Sequence, residues 1–134
     1  MRRIVVIEED KALRRVLKAI IAREGYKSLR VRRMNEAIQT INLAVIKDGD
    51  CGVLIDMNTV NLLRDIRALW PNLQVIALTS FAESPNTAVD LMALVDGVLE
   101  KPFSLRAITG MMRFVFTEDA VNAQPGQTMK ASMN

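Results

Sequence analysis

The chain contains no histidine, a single cysteine and few aromatic residues. Without histidine it has no histidine metal site, no histidine acid–base group and no Ser-His triad. Cys51 alone cannot form an internal disulfide. The first apolar run extends only from Ile4 to Ile7, which is too short for a signal peptide or a membrane span. We therefore expect a cytoplasmic protein without membrane insertion, whose chemistry depends on carboxylates, hydroxyls and lysine.

Half of the 134 residues are hydrophobic, which is enough for the core of one domain of ordinary size. Apolar periodicity stops after Phe116, where glycine, proline and small polar residues dominate. We expect a domain at 1–116 and a flexible tail or linker at 117–134. Because the tail is too short to fold into a second domain, we also expect a stand-alone domain.

Positive charge is concentrated at the beginning of the chain. Residues 1–33 hold 11 Lys and Arg against 4 acids, whereas the remaining 101 residues hold 7 against 11. Such a stretch is either the solvated side of a helix or a docking face for an anionic partner. For a partner we prefer an acidic protein and do not expect nucleic acid. A nucleic acid would contact Arg14, Arg15, Lys18, Arg30, Arg32 and Arg33.

Short apolar runs alternate with amphipathic stretches five times along the chain. The predicted strands cover 3–7, 26–31, 52–56, 74–78 and 97–99, and the predicted helices cover 11–24, 36–45, 61–69, 86–94 and 104–116. This alternation predicts an α/β fold with a parallel sheet and helices on both faces. Five units in a chain of this length favour the flavodoxin-like strand order 2-1-3-4-5.

Polar residues follow four of the predicted strands: Glu8 and Glu9, Asp56, Thr79 and Lys101. The carboxyl ends of parallel strands meet at one sheet edge, so these groups are expected to converge. Clustered carboxylates repel one another unless a cation joins them, and Mg²⁺ prefers oxygen ligands. Asp56 could then attack a phosphorus atom and form an acyl phosphate. Lys101 would neutralise phosphoryl oxygens, and the Thr79 hydroxyl would donate to one of them.

Four segments carry a resemblance to a known family. They are Ile4-Val5-Val6-Ile7-Glu8-Glu9-Asp10, Val53-Leu54-Ile55-Asp56, Leu78-Thr79-Ser80 and Leu99-Glu100-Lys101-Pro102-Phe103. In these segments, and over about residues 3–116, the chain resembles receiver domains of bacterial two-component response regulators of the chemotaxis-regulator type. Each segment is weak by itself, but the four in this order and spacing are specific.

The resemblance implies a role for each strand-end residue. Asp56 would be the phosphoacceptor, Thr79 the switch hydroxyl and Lys101 the phosphate contact. The metal ligands for Mg²⁺ would be Glu8, Glu9, Asp56 and the backbone carbonyl of Asn58. The resemblance also implies a sensor histidine kinase or phosphotransfer protein as donor, docking on the first helix, and a downstream protein target.

Three departures from the family pattern favour a different function. Glu9 stands where the family usually has Asp, and the extra methylene moves the carboxylate by about 1.5 Å. The loop after Asp56 is about five residues shorter than usual, and Val98 replaces an aromatic residue that moves with the switch hydroxyl. The alternative is a pseudo-receiver, a protein-interaction module that works without phosphorylation.

Two further interpretations concern Asp56. It could merely cap the following helix, which gives no reason for Lys101 and Glu9 to converge on it. The segment Asp56-Met57-Asn58-Thr59 also resembles the nucleophile motif of haloacid dehalogenase phosphatases. That class needs further acids after the lysine, and only Glu118 and Asp119 follow Lys101. We therefore do not expect a phosphatase, and regard the chain as a phosphoacceptor rather than an enzyme.

Overall fold

The structure is a computed structural model that describes residues 2–31, 33–57, 60–80, 92–116 and 129–131. The strands are β1 (Arg3–Ile7), β2 (Lys27–Arg30), β3 (Cys51–Asp56), β4 (Gln74–Thr79), β5 (Gly97–Glu100) and β6 (Met129–Ala131). The helices are α1 (Lys11–Arg23), α2 (Ala37–Asp48), α3 (Val60–Leu69) and α4 (Leu105–Val115), and a 3₁₀ turn, Met34–Glu36, precedes α2. None of the helices in these ranges is long and apolar enough to cross a membrane.

The strand order in the sheet is β2-β1-β3-β4-β5-β6. The predicted flavodoxin-like order of five parallel strands is therefore confirmed. The sheet also has a sixth strand, β6, which pairs in parallel with β5. It lies in the stretch for which the sequence predicts only a tail, because three residues are too few to produce a recognisable period. The predicted helix at 86–94 falls largely outside the described residues.

The first of two compact units, Met1–Leu54, has its core at β1, where Ile4 to Ile7 are all buried. Helices α1 and α2 contribute four further residues to this core: Leu17, Ile20, Ile21 and Ile41. Helix α1 begins after its capping residue Asp10, whose carboxylate accepts hydrogen bonds from two backbone N–H groups of the first turn, at 2.9 and 3.1 Å. It ends before Gly25, whose φ of 90° favours a residue without a side chain.

The second compact unit, Ile55–Asn134, contains β4, whose six residues are all buried. Burial on both faces is typical of a parallel strand covered by helices. Helix α4 contacts both β4 and β5. It begins after Ser104, whose hydroxyl accepts a hydrogen bond from the Ala107 N–H at 3.0 Å. At Gly97 a Cβ atom would collide with Met111 Sδ, so glycine allows this close packing.

Candidate functional site

Asp56 is the last residue of β3, a strand whose six residues are all buried. Its residue exposure is 9%, so the strand delivers a nearly buried carboxylate. Lys101 Nζ lies 3.4 Å from Asp56 Oδ2 and forms an ion pair with it. The structure thus brings together two of the predicted site residues, which are 45 positions apart in sequence.

Thr79 ends β4 and lies opposite Glu100 of β5 in the parallel register. Its backbone carbonyl accepts a hydrogen bond from the Lys101 N–H at 2.6 Å, which fixes the lysine backbone against the end of β4. Thr79 is 9% exposed, and its hydroxyl donates a hydrogen bond to the Ser80 carbonyl at 3.2 Å. The strand pairing therefore places a buried hydroxyl beside the segment that carries the lysine.

Three consecutive acids follow β1, and the structure gives each a different environment. Glu8 is 2% exposed, Glu9 is exposed, and Asp10 caps α1. Arg14 Nη1 donates to the backbone carbonyls of Glu8 at 3.1 Å and Glu9 at 3.5 Å. These contacts hold the turn between β1 and α1, and leave Glu8 as the buried carboxylate at the end of β1.

The predicted Mg²⁺ ligands are all oxygen donors, which is the ligand type that this ion prefers. Glu8 and Asp56 provide carboxylates at strand ends and are both nearly buried. Asn58 lies outside the described residues. Within the described ranges, no three His, Cys, Asp or Glu side chains are grouped as a ready-made metal site. The chemistry of these oxygen donors fits Mg²⁺, and their assignment as its ligands remains a prediction.

A second ion pair in the same unit was not predicted from the sequence. Arg67 Nη2 lies 3.3 Å from Asp96 Oδ2, just before β5 begins. The Asp96 carboxylate also accepts a hydrogen bond from the Val75 N–H at 2.8 Å. The same guanidinium donates to four backbone carbonyls at 2.7 to 3.5 Å, those of Leu94, Trp70, Pro71 and Leu73. Arg67 therefore joins the end of α3 to the segments before β4 and β5.

Cys51 begins the strand that Asp56 ends, and its thiol is buried. Burial, helped by the nearby Asp50 carboxylate, raises the pKa of Cys51 to about 12. The thiolate is the reactive form of cysteine, so this thiol is unreactive near neutral pH. Its role is packing.

A family model described as the response regulator receiver domain matches residues 4–113. Among curated proteins, the response regulator MprA of Mycobacterium sp. (strain KMS) is 24% identical over 127 residues, which cover 92% of this chain and 54% of that protein. MprA of Mycobacterium sp. (strain JLS) matches to the same extent. The chain spans about half the length of the curated relatives it matches.

Solved structures of receiver domains share the fold. The solution structure of the beryllofluoride-activated NtrC4 receiver domain dimer superposes with a TM-score of 0.75 at 24% identity, covering 87% of this chain and 97% of that one. A receiver domain protein from Clostridium thermocellum gives a TM-score of 0.72 at 19% identity, covering 91% and 95%. The fold, the strand order and the family match agree, and the chain belongs to the response regulator receiver domain family.

Proposed function

We propose that this receiver domain accepts a phosphoryl group on Asp56 and signals by phosphorylation-dependent binding of a partner protein. The observation that carries the proposal is the ion pair between Lys101 Nζ and Asp56 Oδ2 at the end of a buried strand. It places a fixed positive charge beside the carboxylate, where the oxygens of a transferred phosphoryl group would lie. Membership of the receiver family supports the same assignment.

The proposed transfer begins with attack of an Asp56 carboxylate oxygen on the phosphorus of a phosphohistidine. A new O–P bond forms while the donor's P–N bond breaks, and the electron pair of the broken bond stays on the donor imidazole. The product is an acyl phosphate on Asp56. The donor in this proposal is a sensor histidine kinase or a phosphotransfer protein.

Two neighbouring groups would stabilise the transferred phosphoryl group. The Lys101 ammonium would offset the charge on one phosphoryl oxygen, as it now offsets the charge of the Asp56 carboxylate. The Thr79 hydroxyl would exchange its hydrogen bond to the Ser80 carbonyl for one to another phosphoryl oxygen. That exchange would report phosphorylation to the end of β4, and it supplies the first movement of a signal to a downstream protein target.

Glu8, Glu9, Asp56 and the backbone carbonyl of Asn58 would hold Mg²⁺ in this proposal. When bound, the ion supplies positive charge that offsets the charge of the phosphoryl oxygens. The chemistry of the donors supports this assignment, because Glu8 and Asp56 offer carboxylate oxygens at the ends of β1 and β3, and oxygen is the ligand type that Mg²⁺ prefers. Exposed Glu9 would reach such a site through its longer side chain.

The proposal is tested by incubating the protein with Mg²⁺ and acetyl phosphate and measuring its intact mass. We expect the mass of one phosphoryl group to be added to the wild-type chain, and no gain in Asp56→Asn. Asp65→Asn is a matched control because it makes the same change at an exposed position of α3, and it should gain the same mass. An unchanged wild-type mass at saturating donor, or a gain that persists in Asp56→Asn, contradicts the proposal.

A second candidate function is a partner-binding module that does not use phosphate as its signal. The observation that favours it is Val98, which is 5% exposed in β5 and replaces the movable aromatic residue expected from the family. Amide NMR signals of β5 and α4 separate the two functions. If Asp56 is phosphorylated and these signals do not shift, the second candidate is supported and the switch is contradicted.

A further inference from the structure

A concave cavity of about 390 Å³ lies beside α1 and β2, entirely within the first compact unit. Apart from one valine and one serine its lining is positively charged. We call the charged members the basic cavity residues: Lys11, Arg14, Arg15, Lys18 and Arg30. In the described part of the chain, no acidic residue is part of this lining. The cavity is large enough for a small ligand, since ligand sites span about 300–1,000 Å³.

The geometry of two secondary-structure elements brings these charges together. On α1, Lys11, Arg14, Arg15 and Lys18 are three, four and seven positions apart, so they share one helix face. On β2, residues 28 and 30 are two positions apart and therefore share one face of the strand. The fold thus gathers cations from two elements around one concavity, although like charges repel one another.

Two cations outside the cavity, Arg2 and Arg3, are paired within the chain. Arg2 forms an ion pair with Asp50 at 3.1 Å, and Arg3 forms one with Asp48. Of the basic cavity residues, Arg14 is held by backbone carbonyls at 3.1 and 3.5 Å. The other four form no ion pair with any residue in the described ranges. The cavity therefore concentrates positive charge that the described chain does not neutralise.

We propose that this cavity binds a small polyphosphate, a molecule with two or more linked phosphate groups. Two phosphate groups carry about three to four negative charges at pH 7, which approaches the charge of the five cations. Guanidinium groups bind phosphate oxygens in pairs, and ammonium groups bind them as point charges. Arg14, whose guanidinium is already fixed by the chain, provides a preorganised donor.

The lining favours phosphate groups over a nucleic acid. Among the residues that the structure describes, no aromatic side chain is part of it, so bases of a single strand would have no stacking platform there. A concavity also cannot enter a groove of duplex DNA in the way that an exposed helix does. A short acidic peptide carries its charges on separate flexible side chains and matches a compact cluster of cations less well than linked phosphates do.

The test is isothermal titration of the full chain with inorganic pyrophosphate, without Mg²⁺ and with chelator present. The titration is carried out at about 0.15 M ionic strength, where interactions between exposed charges more than about 8 Å apart are largely screened. The net charge of the protein then contributes little to the measured affinity. We expect saturable binding with one ligand per chain. The Arg15→Gln/Lys18→Gln variant should weaken the affinity at least tenfold. The matched control, Arg23→Gln/Lys27→Gln, removes the same charge at exposed positions outside the cavity and should weaken it less than twofold.

Several outcomes would overturn the proposal. Absence of saturable binding, or equal weakening in the two double variants, would show that only the net positive charge attracts the anion. Loss of binding in Asp56→Asn would place the anion at the strand-end site instead. Tighter competing binding of an oligonucleotide or of a polyglutamate peptide would identify a macromolecular partner. Amide NMR shifts centred on residues 11–18 and 28–30 would support the proposal even if phosphoryl transfer to Asp56 fails.

Discussion

Two ion pairs of the second compact unit lie at opposite ends of its strands. Lys101 and Asp56 meet at 3.4 Å, where β3 ends and β5 has just ended. Arg67 and Asp96 meet at 3.3 Å, before β5 begins. The distances are nearly equal, but the surroundings differ. The guanidinium of Arg67 is also bound by four backbone carbonyls, whereas in Lys101 it is the backbone N–H that is bound by a carbonyl, that of Thr79 at the end of β4.

The difference shows that the distance between two charges does not reveal their role. The donors of Arg67 are engaged by the chain itself, so this pair holds α3 and the strand beginnings together. At the other end, the carboxylate terminates a buried strand and its lysine partner could exchange it for a phosphoryl oxygen. We expect substitutions at the first pair to change stability, and substitutions at the second to change chemistry.

The largest expected effect on stability comes from Arg67→Met. It leaves the Asp96 carboxylate without its positive partner and several carbonyls without their donor, so the free energy of unfolding should fall by about 3 kcal/mol. Urea denaturation measures the change, and Arg106→Met at an exposed position of α4 is the control. A loss below about 1 kcal/mol would mean that the network is not structural.

For Asp96→Asn we expect the free energy of unfolding to fall by a smaller amount, about 1–2 kcal/mol. The amide oxygen can still accept the hydrogen bond from the Val75 N–H, but the charge that pairs with Arg67 is removed. Thermal and urea unfolding should both report the loss, and Asp65→Asn should stay within about 0.5 kcal/mol of the wild type. Phosphoryl incorporation into folded Asp96→Asn should match the wild type, and a large decrease would remove the distinction between the two pairs.

Lys101→Met should change the free energy of unfolding by less than about 1 kcal/mol, because the Lys101 side chain is 25% exposed, against 12% for Arg67, and its ion pair is more strongly screened by solvent. The rate of phosphoryl incorporation from acetyl phosphate should instead fall at least tenfold, or about 1.4 kcal/mol in activation free energy. Lys47→Met, at an exposed position of α2, is the control. A destabilisation as large as that of Arg67→Met would make both ion pairs structural.

The effect that is smallest at neutral pH concerns Cys51, because it develops only under alkaline conditions. The folded chain retains the thiol proton up to a pKa of about 12, while the unfolded chain loses it near the ordinary value. Rising pH therefore favours the unfolded state, by up to roughly 1.4 kcal/mol per pH unit between these two values. At neutral pH the thiol should resist alkylation until the protein unfolds. Cys51→Ala should show a shallower decline of stability with alkaline pH, and an identical slope would contradict the assignment.

Much of the fold follows from the sequence, because each strand is a short apolar run and each helix has an apolar face. The first five strands, their order and the start of α4 at Ser104 agree with the pattern. The pairing of Asp56 with Lys101 was also expected, because parallel strands bring their carboxyl ends to one edge. The strands and helices follow directly from the spacing of apolar residues along the chain, and the meeting of Asp56 with Lys101 follows from the parallel arrangement of those strands.

The Arg67 network could not be predicted in the same way. In the sequence, Arg67 is an ordinary cation in the last turn of an amphipathic helix, and Asp96 is an ordinary turn residue before glycine. Their contact joins positions 29 residues apart, and no local pattern specifies it. The same limit applies to the basic cavity residues. The sequence shows the basic face of α1, but its proximity to Arg30 depends on the place of β2 in the sheet.

The short strand β6 has a consequence for how this sheet meets other chains. A parallel neighbour requires a crossover, and α4 provides one between β5 and β6. An exposed strand edge is a template for strand addition, which leads to swapping or aggregation. Residues Met129–Ala131 occupy that template beside Gly97–Leu99, so the chain shields its own edge. Because only three residues provide this protection, a competing strand would have little to displace.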